Sequence, residues 1–134
     1  MVIYMAKALV QLLTYLGMPS VAATALAVLI SETTPLSLSE LAKKTGYAKS
    51  HLSPHLKILA ANGLISMVRS KKKIIYTARK ESIIMLLRSH LENLKAMVNS
   101  VSHTLVDQEI RPILNRLSNK LEEVLRELEG GYNG

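Results

Sequence analysis

Residues 48–64 read AKSHLSPHLKILAANGL, and the fold turns on what this stretch can become. Leu52, Leu56 and Leu59 recur at helical spacing, and Asn62-Gly63 is a helix-ending pair. Pro54 stands in the body of the run, where it has no N–H to give and its ring crowds the carbonyl of Ser50. Two readings accommodate it. The helix begins near Lys49 and bends, or it begins at Ser53 with Pro54 in the first helical position, where the missing N–H costs nothing. The first is preferred because Leu52 is needed on the buried face. With Leu52, Leu56 and Leu59 turned inward, Ser50, Pro54, Lys57 and Ala61 face outward. His51, Ser53 and Ile58 then lie on the flanks, and His55 lies nearer the buried side.

Immediately upstream, Ser37-Leu38-Ser39-Glu40 has the spacing of a capping box, in which the Ser37 hydroxyl accepts the Glu40 N–H while the carboxylate reaches back. It starts a short helix over 38–45 that Gly46 ends, about three residues before the next helix. Leu36 suits a short strand. Downstream, 64–68 and 74–77 are β-branched runs on either side of Arg69-Ser70-Lys71-Lys72-Lys73, which predicts a hairpin with a basic tip.

The basic residues are concentrated here. The 134-residue chain has a formal charge of +7, and residues 33–80 hold ten basic side chains against Glu40 alone. The last 54 residues hold six basic and eight acidic side chains. A patch of this kind suits a polyanion, nucleic acid before anionic lipid. The absence of cysteine excludes disulfides and thiolate metal sites and fits an intracellular protein. No Gly-rich phosphate loop and no nucleophile with its base is present, so the reading is of a non-enzyme with no cofactor and no metal.

Residues 2–16 and 20–31 read as two apolar helices. The charge-free run from Ala8 to Ser31 is interrupted by Gly17-Met18-Pro19-Ser20, which leaves pieces too short to span a bilayer. The start also lacks the basic segment of an export signal. The first helix is apolar on most of its circumference, so Leu9 and Leu12 are expected to pack on a partner subunit. At the other end, Leu87, Leu91, Leu94, Val98, Val101 and Leu105 form a heptad-like seam. Ile110, Leu114, Leu117, Leu121, Val124 and Leu128 repeat it after a five-residue step. This predicts a helix of about 28 residues, an interruption near Pro112 and a final helix, with the kinked and folded-back forms both open.

Short helix, tight turn, second helix and basic hairpin, in that order, resemble a winged helix-turn-helix. Residues 36–78 are similar to the DNA-binding core of ArsR-type and MarR-type transcription regulators, and the closest likeness is to small archaeal Lrs-type winged-helix proteins. ArsR-type recognition helices commonly read Ser-x-x-Ser-x-His-Leu-x-x-Leu, and Ser50, Ser53, His55, Leu56 and Leu59 stand at those positions. The Cys-x-Cys box of the metal-sensing members is missing from 38–45, and Ala48 replaces the usual serine cap.

The resemblance and the charge together imply a mainly α protein with a small β-hairpin wing. Residues 1–134 form one winged-helix domain, with N-terminal helices (1–32), the helix-turn-helix and wing (33–79) and C-terminal dimerisation helices (80–134). Double-stranded DNA would meet Lys43, Lys44, Lys49, Ser50, His51, Ser53, Pro54 and Lys57. It would also meet Arg69, Lys71, Lys72 and Lys73 of the wing. Leu9, Leu12, Leu87, Leu91, Leu94, Val98, Val101, Leu105, Leu117 and Leu121 would join a homodimer. The expected function is sequence-specific transcriptional regulation by promoter occlusion in the cytoplasm, associated with the nucleoid. The alternatives are an architectural DNA-binding protein and a protein-interaction module. The likeness leaves room for a small-molecule effector, and no residue marks one.

Overall fold

The computed structural model describes residues 2–32, 34–79, 81–104 and 107–133, with side chains from 6 to 129 among these. Among them are six helices and three strands, divided between two units, 1–82 and 83–134.

The first unit is built around a helix without a charged residue, α2 (Ser20–Ser31). Ala22, Ala23, Ala25, Leu26, Ala27, Val28 and Leu29 are all buried along it. A helix apolar all round must be enclosed, and its four alanines let neighbours approach closely. It contacts α1 (Val2–Tyr15), α3 (Leu38–Thr45), α4 (Lys49–Ala61) and the strand β3 (Lys73–Ala78). Gly17, at φ 99°, reverses the chain after α1, and the Met18 N–H reaches back to the Leu13 carbonyl at 3.1 Å. This satisfies a carbonyl that the helix end leaves unpaired.

The capping box forms as its spacing predicts. The Ser37 Oγ accepts the Glu40 N–H at 3.2 Å, and Glu40 accepts the Ser37 N–H at 3.0 Å. Gly46 ends α3 at φ 79°. After a three-residue turn, α4 begins at Lys49 with Ala48 at its cap and no side-chain cap bond. Pro54 is therefore inside the helix, and Leu52, Leu56 and Leu59 are buried, as the wheel requires. Gly63, at φ 76°, closes α4, with the Leu64 N–H donating to the Leu59 carbonyl at 3.0 Å.

The short strand β1 (Leu36–Ser37), β2 (Ile65–Ser70) and β3 form an antiparallel sheet in the order β1-β3-β2. Leu36 pairs with Tyr76 and Met67 with Tyr76, so one face carries Leu36, Ile65, Met67 and Tyr76 toward the core. The wing differs from expectation at its tip. Arg69, Ser70 and Lys73 belong to the strands, Ser70 pairs with Lys73, and only Lys71-Lys72 turn the chain. Lys71 takes φ 58°, the left-handed conformation that a two-residue hairpin demands of any residue placed there.

Ser82 ends this unit fully buried, and its hydroxyl donates to the Leu64 carbonyl at 2.6 Å. The second unit holds α5 (Ser82–Thr104), apart from its first residue, and α6 (Ile110–Asn133). The two are antiparallel: Lys95 pairs with Glu122, Ser118 donates to Asn99 at 2.5 Å and Ser102 to Asn115 at 2.6 Å. The folded-back form is the one adopted. The interruption falls just before Pro112, where the seam slips. Asp107 accepts the N–H groups of Glu109 and Ile110 at 2.8 and 3.1 Å, and Pro112 sits in the first turn of α6, where no N–H is required. The long helix has 23 residues and not the expected 28, because Asp107 starts a new one.

Candidate nucleic-acid interface

Burial of Leu52, Leu56 and Leu59 decides which side of α4 is left outside. Ser50, Pro54, Lys57 and Ala61, four residues or three apart, form an exposed row. Lys49 and His51 are exposed beside it, Ser53 and His55 are half-buried, and Ile58 is 57% exposed. The carbonyl of Ser50, left without its helical donor by Pro54, is at this surface.

The wing adds charge to the same unit. Arg69, Lys71, Lys72 and Lys73 are all exposed, on two short strands and their turn. The acidic groups nearest the patch are already engaged. Glu40 is held by the capping box, and the Ser37 donors, assisted by Lys73 and Lys44, keep its carboxyl below the usual glutamate range. Glu32 pairs with Lys44 at 3.0 Å. This separates the two lysines of α3. Lys43 is exposed and makes no ion pair among the described residues, whereas Lys44 is drawn to the end of α2 and contributes less to the outward field.

One residue has a role that local sequence does not show. Arg79, part of the basic block, reaches the Gly63 carbonyl at 3.5 Å and lies over the C-terminal end of α4, where a cation is favourable. Ile58 is an apolar residue on the exposed flank of α4. The wheel places it there despite its apolar character, and it is exposed.

The seam residues separate in the same way. Val98 and Leu121 are buried, Leu87, Leu91 and Leu94 are half-buried, and Val101 and Leu117 are exposed. Leu9 and Leu12 are half-buried on α1, and Leu105 lies outside the described residues. Ser102 and Ser118 are buried between the helices, donating to Asn115 and Asn99, so the hairpin's leucines do not form one continuous internal seam. Ile113 and Met97, exposed at 55% and 60%, extend the uncovered apolar surface. Among the described residues, no group of three or more His, Asp or Glu could hold a metal ion, and no helix is long and apolar enough to cross a membrane.

Residues 28–67 match the sequence model of the bacterial regulatory protein arsR family. This span runs from the end of α2 through the helix-turn-helix into β2. No curated protein matches the chain. Among solved structures, one described as a transcriptional regulator is similar at TM-score 0.57 and 13% identity, over 96% of this chain and 98% of its own. MepR of Staphylococcus aureus, a transcription regulator of the multidrug efflux pump MepA, is 17% identical over 90% of each chain, at TM-score 0.49. BpsR of Bordetella bronchiseptica is 13% identical over 87% of this chain and 86% of its own, at TM-score 0.48. The fold is a winged helix-turn-helix.

Proposed function

From a chain with an arsR-type segment at residues 28–67, we propose a sequence-specific transcriptional regulator that binds double-stranded DNA as a homodimer and acts by promoter occlusion. The observation that carries this reading is the exposed row on α4, Ser50, Pro54, Lys57 and Ala61, in the same unit as a wing with four cations. The row enters the major groove, with Ser50, His51 and Ser53 at base edges and Lys49 and Lys57 at phosphates. The Pro54 ring offers a rigid apolar surface to a thymine methyl. Arg69, Lys71, Lys72 and Lys73 follow the flanking backbone, and Lys43 adds a contact from α3. Lys44 is left out because of its pairing with Glu32.

The dimer uses Leu9 and Leu12 of α1 and the apolar residues that the α5–α6 hairpin leaves uncovered, Val101 and Leu117 among them. Apolar residues at coiled-coil spacing on an otherwise charged helix favour a partner over water.

The test is fluorescence anisotropy near physiological salt, with duplex from upstream of the protein's own gene competing against unrelated duplex of equal length. A preference above roughly 10³ supports sequence-specific regulation. Tight binding without preference supports an architectural role instead. Affinity that is flat between 50 and 200 mM salt refutes the DNA reading, since 6–10 phosphate contacts imply a loss of roughly 10³–10⁵ over that range.

A further inference from the structure

Beneath the wing, a notch of about 270 Å³ lies between the sheet and the first turn of α3. Its walls include Ser37 and Ser39 from the start of α3, Arg69 and Lys72 from the wing, and Tyr76 from β3. Three cations line it in all, because Lys73 is also there, although the nearby Glu40 carboxylate offsets Lys73. That carboxylate also caps α3, so the helix end is already occupied and does not create the site.

Tyr76 distinguishes this notch from an ordinary basic surface. The residue is 3% exposed, its ring fixed in the core by its pairing with Leu36 and Met67. Its hydroxyl makes no hydrogen bond among the described residues, although the side chain lines the notch. Burial pushes its hydroxyl above the ordinary tyrosine range, so at neutral pH it is a proton donor. The ring is buried while its hydroxyl opens on the notch, where water serves it until a stronger acceptor takes its place. Ser39 is exposed at the rim, and its hydroxyl likewise makes no hydrogen bond among the described residues. The Ser37 oxygen, by contrast, is taken by the capping box.

We propose that this notch holds a phosphate oxyanion, with Arg69 and Lys72 supplying charge and the Ser39 and Tyr76 hydroxyls supplying directed donors. Resting on the DNA-binding reading, the phosphate is one of the duplex backbone beside the wing. The rigid phenol gives up little rotamer freedom on binding, and its hydrogen bond to an anionic oxygen is charge-assisted. The site thereby adds register to what would otherwise be a diffuse attraction by lysines. Neither Ser39 nor Tyr76 carries a charge, so neither stands out in a search for basic residues.

The test pairs the variant Ser39→Ala/Tyr76→Phe with duplexes in which single phosphates are replaced by neutral methylphosphonates, read by anisotropy on the full chain. Both substitutions remove hydroxyls without removing charge or ring volume. For wild type, one phosphate position in each half-site should cost roughly tenfold on replacement, as expected for charge-assisted bonds. In the variant, natural duplex should bind roughly tenfold more weakly with an unchanged salt slope. Replacement at that position should then cost little more. Additive penalties, or a variant equal to wild type, would overturn the proposal and leave the DNA reading standing. A parallel arm follows amide resonances of the wild-type chain with inorganic phosphate at millimolar concentration. If no duplex binds but phosphate shifts Ser39 and Tyr76, and the variant abolishes this, the oxyanion site stands and the DNA reading fails. If neither ligand acts there, both fail.

Discussion

Pro54→Ala tests the structure where sequence and fold most visibly disagree. Pro54 is the sixth residue of α4, beyond the first turn, where a missing N–H would cost nothing. In a helix interior, proline is about 3 kcal/mol worse than alanine. Here the position is exposed, so water reaches the Ser50 carbonyl and recovers about 1 kcal/mol, the net worth of one hydrogen bond. Alanine should therefore stabilise the chain by about 2 kcal/mol. With roughly 4–8 °C per kcal/mol for a unit of this size, the melting temperature should rise by about 10 °C. DNA binding should move the other way. If the ring covers a thymine methyl, losing about one methylene of burial, ~0.8 kcal/mol, weakens binding about fourfold per half-site. The assay is urea and thermal unfolding by circular dichroism, followed by anisotropy on the preferred duplex. An unchanged or lower melting temperature would refute a helix running through Pro54 from Lys49. Raised stability with unchanged affinity would show that the ring touches no base.

The other expectations concern the wing, the hairpin and the dimer. Lys71→Gly relieves a left-handed residue that costs about 1–2 kcal/mol, partly offset by the extra freedom of glycine in the unfolded chain. It should raise the melting temperature by a few degrees while lowering the salt slope of DNA binding by about 1.8 for two wings, at about 0.9 each. A lower melting temperature, or an unchanged slope, would contradict it. Glu122→Gln should be less stable than wild type at neutral pH, since the Lys95 ammonium holds the Glu122 carboxyl below its ordinary value. A lowered folded-state pKa stabilises above the unfolded value and is lost below it, so the gap should close as pH falls through 4.5 and beyond. Thermal melts across pH 3 to 7 check this. Leu117→Glu, at an exposed position of α6, should leave helix content unchanged and shift sedimentation toward monomer. A dimer that persists would remove Leu117 from the interface.

Residues close in sequence determined much of this protein. The Ser37–Glu40 box, the glycines at 46 and 63 and the leucine spacing of α4 involve partners within a turn or two, so reading them needs no knowledge of the chain path. The exposed row on α4 follows from the same periodicity once its leucines are buried. The five-residue slip in the apolar seam showed a break just before Pro112, but whether the chain kinks or folds back there rests on Asp107, a starter that the apolar pattern does not register. The tertiary structure alone decided which charges are spent, since Lys44 meets Glu32 and Lys95 meets Glu122 only after elements 12 or more residues apart are brought together. It also decided that Ser39 and Tyr76, 37 positions apart and both uncharged, share one notch with Arg69 and Lys72. Local rules specify helices, caps and turns because those bonds close over a few residues. A site joining β3 to the start of α3 depends on strand register and chain reversal, which no short window of sequence contains.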